Sequence, residues 1–131
     1  MLLHKEISDK IIKAFYNVYN SLGYGFLEKV YENAMMIELR KLGLTVQRQV
    51  PIKVFYEEQL VGEYFADIIV EGNIIVELKA TENLCETHEF QLINYLKATE
   101  LEIGLSLNLG KKPQFRRKIV TNKKNLRKSD E

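Results

Sequence analysis

The sequence predicts an α/β domain in which helices flank a mixed β-sheet, and three observations lead to this prediction. Apolar residues recur every three to four positions near the N-terminus and again within residues 86–99, as in helices that bury one face. Between and after these segments, apolar residues alternate or form short runs, which is typical of strands. The resulting order is α-α-β-β-β-α-β-β. Because a helix connects the third strand to the fourth, these two strands can pair in parallel.

Two helices open the chain. The first covers residues 5–22 and ends where Gly23-Tyr24-Gly25 breaks the apolar period. The second follows directly and stops at Gly43. Its expected buried stripe consists of Leu27, Val30, Tyr31, Ala34 and Ile37. A third helix is predicted over residues 86–99, again from apolar spacing.

Five strands are predicted from the change to a period of two and from turn signals. They cover residues 46–56, 59–70, 74–80, 103–107 and 116–120. Glu57-Glu58 and Glu71-Gly72-Asn73 are short turns, so the first three strands form an antiparallel meander. The whole sheet is therefore mixed, with helices packed on it.

Length and composition place the chain among single-domain globular proteins. Its 131 residues and 46% hydrophobic content suit one domain, expected at residues 1–120, with a frayed basic tail at 121–131. No apolar run could span a bilayer, and the first residues lack a signal peptide's apolar core. The single cysteine, Cys85, is expected to be a half-buried small residue rather than a catalytic thiol. We therefore expect a cytoplasmic protein that does not enter the membrane.

Positive charge is concentrated at the C-terminus although the net charge is only +1. Residues 1–110 hold 10 Lys/Arg against 16 Asp/Glu, whereas residues 111–131 hold 9 against 2. One interpretation is a solvated strand followed by a tail. The other is contact with nucleic-acid phosphates at the rim of an acidic site. The residues that would make these contacts are Lys111, Lys112, Arg116, Arg117 and Lys118.

Charged residues interrupt two apolar strands that the predicted turn folds against each other. Glu77 and Lys79 are two residues apart and so share a face of the third strand. Counting back from the turn puts Asp67 at the level of Glu77, and neighbouring strands lie about 4.8 Å apart. Two such carboxylates can share a hard cation, which lowers the pKa of a bound water and neutralises charge on a phosphate. The competing interpretation is an ordinary ion pair on a sheet, because D…ExK is a short and common pattern.

Two further patterns provide context, and each also has a structural interpretation. Glu28 lies in the first turn of the second helix, where a carboxylate is favoured by the helix dipole alone. His88, Gln91 and Tyr95 recur at spacings of three and four, and so form one polar-aromatic face of the last helix. Taken alone, this face indicates a partly buried histidine with its hydrogen bonds satisfied.

Together these residues resemble the GxxExxY protein family, a group within the PD-(D/E)XK nuclease superfamily with a restriction-endonuclease-like fold. The matching segments are LGYGFLEKVYENA, QRQVPIKVFY, ADIIVEGNIIVELKAT, HEFQLINYLKAT and GLSLNLG, in that order. The resemblance implies that Asp67 and Glu77 bind the metal, with the backbone carbonyl of Leu78 as a third ligand. It implies that Lys79 serves the attacking water.

The same resemblance implies supporting roles for three other residues. Glu28 would be an auxiliary metal ligand or would hold a water beside the metal. Gln91 and Tyr95 would orient the site or contact the nucleic-acid backbone. In many relatives an arginine stands where this chain has Phe65, so one candidate phosphate contact is missing.

The function expected from the resemblance is hydrolysis of phosphodiester bonds with Mg²⁺ or Mn²⁺. The substrate would be nucleic acid, DNA rather than RNA, and endonuclease and exonuclease action both remain open. The alternative is a catalytically inactive module on the same fold that binds nucleic acid or a protein partner. A chain of this size could need a homodimer or a partner protein to embrace a duplex.

Overall fold

The computed structural model describes residues 4–121, so almost all of the predicted tail at 121–131 lies outside the described residues. Within this range the elements follow the predicted order. The helices are α1 (Lys5–Leu22), α2 (Glu28–Lys41) and α3 (Glu86–Ala98). The strands are β1 (Val46–Tyr56), β2 (Gln59–Val70), β3 (Ile74–Lys79), β4 (Ile103–Leu109) and β5 (Pro113–Ile119).

The strands form one mixed sheet in the spatial order β1-β2-β3-β4-β5. β1, β2 and β3 pair as an antiparallel meander. β3 and β4 are parallel because the chain crosses over through α3, and β5 returns antiparallel to β4. The predicted class is thus confirmed. The sheet topology is consistent with the restriction-endonuclease-like fold.

Helices cover both faces of the sheet. Alternate side chains of β3 pack into the apolar cluster on one face and into the cluster on the other. Val76 and Leu78 belong to the apolar cluster that α1 and α2 close with residues such as Phe15. Ile75 belongs to a second cluster on the other face, with Leu92 of α3. β3 is therefore buried on both sides at the centre of the molecule. Any charged side chain on this strand needs a specific partner.

The buried side of α2 differs from the prediction. Leu27, Val30 and Ile37 are 80%, 37% and 60% exposed. The residues that α2 buries are Tyr31, Glu32, Met35, Met36 and Leu39. Tyr31 decides this orientation, because its hydroxyl donates to the carbonyl oxygen of Gly23 at 2.7 Å and ties the helix to the preceding loop. The spacing of apolar residues alone could not show that a carboxylate, that of Glu32, lies on the buried face of α2.

The β4–β5 hairpin is longer than predicted. β4 continues to Leu109, and its register pairs Leu109 with Pro113 at the start of β5. Proline lacks an N–H group, so it fits the first position of a strand although it would break a central one. Only a tight turn at residues 110–112 remains between these strands. Among the described residues, no helix is both long and apolar enough to cross a membrane.

Candidate active site

β2 and β3 separate at the level of Asp67 and Glu77. Their register ends at the pair Ile68↔Val76, and continuing it by one step would place Asp67 opposite Glu77. At this point, hydrogen bonds to side chains replace the main-chain hydrogen bonds that join the two strands. The Asp67 amide donates to Oε2 of Glu77 at 3.0 Å, and the Leu78 amide donates to Oδ2 of Asp67 at 2.8 Å. Each carboxylate therefore bonds to the main chain of the opposite strand, and the two meet in the gap.

An irregularity in β1 and β2 accompanies this separation. The pairing of these strands skips Gln49, opposite Asp67, and Gln49 has a φ of 51°. Ala66 packs in the cluster under α3, whereas Ile68 packs in the cluster under α1 and α2. Residues two apart in a regular strand share a face, so β2 twists sharply at Asp67. Beyond this twist, residues 51–65 form a two-stranded extension that does not pair with β3. We call this extension the hairpin arm.

The electrostatics of the pair favour a cation. Glu77 is only 4% exposed, and its burial raises the pKa of its carboxyl to about 9, with the charge of Asp67 as the next cause. A side-chain hydrogen bond with Asp67 is the third cause that raises this pKa, and the hydrogen bond from the Asp67 amide and the charge of Lys79 lower it without compensating for these three. The buried Glu77 carboxyl beside a second carboxylate would ionise readily only if a positive charge compensated for it. A divalent cation would supply that charge.

The donor set fits a hard cation such as Mg²⁺. The predicted ligands, two carboxylates and the carbonyl oxygen of Leu78, would all be oxygen atoms, and Mg²⁺ typically uses one or two carboxylates and keeps several waters. In residues 4–121, no three His, Cys, Asp or Glu side chains converge closely enough to hold a metal by themselves. The closed sets of nitrogen and sulfur ligands that structural zinc requires are therefore not present in this part of the chain.

A chain of hydrogen bonds connects α3 to the end of β3. Nζ of Lys79 donates to Oε1 of Gln91 at 3.2 Å, and Nε2 of Gln91 donates to the hydroxyl of Tyr95 at 2.9 Å. Burial raises the pKa of Tyr95, and the neighbouring charge of Glu77 raises it further. The Lys79 ammonium is thus oriented by an amide and lies close enough to Glu77 to affect its pKa.

On the α2 side of Asp67 lies a polar cavity of about 150 Å³. It is lined by Glu28, Lys29, Glu32, Gln49, Asp67 and Leu78. Oε2 of Glu28 accepts a hydrogen bond from the Ala80 amide at 3.2 Å, just after β3 ends. Glu28 therefore shares a cavity with Asp67 but lies beside the carboxylate pair rather than between its members.

Sequence reasoning missed three residues of this cavity, Lys29, Glu32 and Gln49. Glu32 is 3% exposed and pairs with Lys29 at 2.7 Å. Nε2 of Gln49 donates to Glu32 and lies 3.4 Å from Oδ1 of Asp67, so it bridges the two carboxylates. Glu32 could have been found, because it follows Glu28 by four residues and therefore shares its helix face. Gln49 had no signal in the sequence, since its position depends on the twist in β1.

His88 and Cys85 have no part in this site. Nδ1 of His88 accepts a hydrogen bond from the Cys85 amide at 3.4 Å, at the start of α3. The structural interpretation of this partly buried histidine is confirmed. Cys85 is exposed, so the expectation of a half-buried residue is wrong. The reason is that Cys85 occupies the N-cap position in the loop before α3 instead of a helix face.

The basic residues near the C-terminus do not form one surface. Arg116 and Lys118 approach Oε1 of Glu89 on α3, at 3.7 and 3.2 Å. Strand alternation places Arg117 on the opposite face, the side on which Phe115 packs against α1 and α2. Lys111 and Lys112 are exposed in the β4–β5 turn. Arg116 and Lys118 are thus on the α3 side, where Lys79 and Gln91 lie, and Arg117 is not.

Fold and site together define a restriction-endonuclease-like protein: a mixed sheet with paired carboxylates where two strands separate, and a lysine two residues after one of them. The profile of the PD-(D/E)XK nuclease superfamily matches residues 5–119, and the chain belongs to this superfamily. Glu77-Leu78-Lys79 has the form of the (D/E)-x-K tripeptide in its name. No curated protein and no solved structure matches the chain. The narrower GxxExxY assignment stays a prediction.

Proposed function

We propose that this protein hydrolyses phosphodiester bonds in nucleic acid, DNA rather than RNA, with Mg²⁺ or Mn²⁺ as its cofactor. The observation that carries the proposal is the Asp67–Glu77 pair at the separation of β2 and β3, in which Glu77 is buried and Asp67 is partly buried. A buried carboxylate beside a second carboxylate weakens a fold unless a positive charge compensates for it. Membership in a nuclease superfamily supports phosphodiester cleavage as the use of that ligand.

The proposed metal ligands are the carboxylates of Asp67 and Glu77 and the carbonyl oxygen of Leu78. When bound, the cation lowers the pKa of a water molecule and neutralises charge that develops on the phosphate. Glu28, across the adjoining cavity, holds a water beside the cation rather than binding the cation directly, because no three carboxylates among residues 4–121 converge closely enough to hold a metal. The residues of this set come from β2, β3 and α2, so the site requires the folded chain.

In this proposal Lys79 acts on the substrate. Gln91 holds its ammonium beside Glu77, where it orients the attacking water or stabilises negative charge on the phosphate. Water adds to phosphorus, the bond to the leaving oxygen breaks, and the products are a phosphate monoester and a hydroxyl end. Tyr95 positions Gln91 through its hydroxyl. Gln49 and Glu32 position Asp67 from the opposite side of the gap.

A cleavage assay on a closed circular plasmid and on end-labelled linear DNA tests the proposal. Wild type should cut with Mg²⁺ or Mn²⁺, whereas Ca²⁺ should support binding without turnover. Asp67→Asn should be inactive, and Asp9→Asn, at an exposed carboxylate of α1, should cut like wild type. Nicking of the circle would assign an endonuclease, and cleavage only from ends would assign an exonuclease.

Two results would contradict the proposal. Undiminished cleavage by Asp67→Asn would mean that the activity comes from elsewhere. The absence of both cleavage and Mg²⁺ binding in calorimetry would indicate the alternative, a module that binds nucleic acid or a partner without catalysis. The cytoplasmic location and the homodimer or partner protein also stay predictions.

A further inference from the structure

A groove runs between α3 and the hairpin arm, and its inner end reaches the candidate active site. Two adjoining cavities of about 550 and 390 Å³ share Val54, Tyr64 and Asn94, so they form one continuous surface, the α3 groove. The inner cavity is lined by Gln91 and Tyr95, which belong to the hydrogen-bond chain of Lys79. A ligand in the groove would therefore extend away from the carboxylate pair along α3.

The walls of the α3 groove present aromatic rings to solvent. Tyr64 on β2 is 50% exposed, and Phe55 on β1 and Phe90 on α3 are each 60% exposed. The Tyr64 ring lies 5.5 Å from that of Tyr95, at an interplanar angle of 43°. A contiguous patch of exposed apolar side chains on a small domain typically marks a binding site, whereas scattered exposed apolar residues do not. Flat rings on both walls can stack on flat ligand groups.

The charge of the α3 groove suits an anion. Lys53 and Lys97 line its outer cavity, and none of the described residues that line either cavity is acidic. This contrasts with the surrounding chain, since residues 1–110 hold 16 Asp/Glu against 10 Lys/Arg. Lysines beside exposed rings match a polyanion whose anionic groups alternate with aromatic bases.

We propose that the α3 groove binds unpaired nucleotides of single-stranded nucleic acid, with bases stacked on Tyr64 and Phe90 and phosphates near Lys97. This inference rests on the proposed function, because it names the substrate class of the same site. Bases in a duplex already stack on both faces, so they cannot use these rings. The enzyme would then cut substrates with a single-stranded stretch beside the scissile bond.

Binding of a fluorescein-labelled single-stranded oligodeoxythymidylate, measured by anisotropy in EDTA, tests the proposal without catalysis. Tyr64→Leu and Phe90→Leu should each weaken binding roughly tenfold. Tyr16→Leu, at an exposed tyrosine of α1, should leave binding unchanged and is the matched control. Because Phe90 is mostly exposed, its substitution tests the groove even if Tyr64→Leu disturbs the fold.

An abasic strand of the same length makes the test specific for stacking. It should bind more weakly than the thymidylate strand and should lose no further affinity in Tyr64→Leu or Phe90→Leu. Equal weakening of both strands would overturn the proposal. So would a dimer, seen by sedimentation, that Phe90→Leu dissociates without changing oligonucleotide binding, since the groove would then be a protein interface.

The same measurements separate this proposal from the proposed function. Ring-dependent binding by a protein that cuts nothing would retain the α3 groove and refute the nuclease. Cleavage could instead depend on metal and be abolished by Asp67→Asn, while oligonucleotide binding is unaffected by Tyr64→Leu and Phe90→Leu. That result would support the proposed nuclease and refute the proposed role of the α3 groove.

Discussion

The main-chain amide of Asp67 donates a hydrogen bond to Oε2 of Glu77, across a gap where the sheet has no ladder bond. The carboxylates proposed to hold the cation are therefore also the partners of the main chain at the point where two strands separate. Removing either carboxylate should disturb the strand edge as well as the site. Amide substitutions, which keep an oxygen acceptor, separate these two effects.

The metal-free protein should lose stability as the pH rises, and Glu77→Gln should remove this loss. Because burial raises the pKa of Glu77 from 4.5 to about 9, the folded chain binds more protons than the unfolded chain between these values. The free energy of unfolding then falls with pH through that window, by up to ~1.4 kcal/mol for each pH unit. Glutamine mimics the protonated carboxyl, so the variant should be the more stable protein near neutral pH.

Urea unfolding in EDTA at about pH 5.5 and about pH 7.5 measures this difference between the two proteins. Identical changes with pH in wild type and Glu77→Gln would contradict the assignment of the raised pKa to Glu77. Glu86→Gln, at an exposed carboxylate at the start of α3, is the control and should follow wild type.

Lys79→Ala should lower the cleavage rate while leaving Mg²⁺ affinity nearly unchanged. The lysine bonds to Gln91 and is not among the proposed ligands, so its contribution falls on the chemical step. Loss of one group that stabilises the transition state costs about 10²- to 10³-fold in rate. Single-turnover cleavage and calorimetric titration with Mg²⁺ report the two quantities separately, and Lys13→Ala on α1 is the control. A loss of affinity as large as the loss of rate would assign Lys79 to the organisation of the metal site instead.

Gln49→Ala should weaken Mg²⁺ binding although Gln49 is not a proposed ligand. Its side chain links Glu32 to Asp67, and loss of such a supporting hydrogen bond typically costs about 10- to 100-fold in metal affinity or activity. Gln47→Ala, on the same strand but outside the cavity lining, should behave as wild type. Equal Mg²⁺ affinity in the Gln49 and Gln47 variants would show that the cavity on the α2 side does not support the site.

Among the C-terminal basic residues, we expect only those on the α3 side to contact substrate phosphates. Arg116 is on that side and Arg117 is on the other, so Arg116→Ala should flatten the salt dependence of DNA binding by ~0.9 in log–log slope. Arg117→Ala should not change it, and the double variant should equal Arg116→Ala. A decrease of about 2 in the double variant would mean that both arginines meet phosphates. Unchanged slopes in all three variants would mean that neither does.

Gly110→Ala should destabilise the fold strongly. A Cβ at this position would lie 1.9 Å from the backbone carbonyl oxygen of Thr81, which cannot rotate away. Overpacking of this kind costs about 1–3 kcal/mol and sometimes more. The nearest atom to a Cβ on Gly62 is 3.7 Å away, so Gly62→Ala is the tolerated control. Equal melting temperatures of the two variants would contradict the close approach of residue 110 to the loop after β3.

Local patterns in the sequence were sufficient for the elements and for the main carboxylate pair. Apolar period predicted α1 over its full length, and the turn at Glu71-Gly72-Asn73 placed Asp67 and Glu77 at one level of a hairpin. Both predictions depend on residues close in the chain, because alternation and a tight turn fix register with no other contact. The basic character of the C-terminal segment was equally readable from composition.

Contacts distant in the chain decided the rest. The orientation of α2 depends on the Tyr31 hydroxyl and buries Glu32, which no apolar period could predict. The position of Gln49 depends on a twist in a strand pair, and the division of Arg116 from Arg117 depends on which helix covers each face of β5. These features arise where a polar side chain must find a partner in the interior, and that partner belongs to another element. The sequence thus determined which chemical groups the protein has, and tertiary structure decided which of them meet.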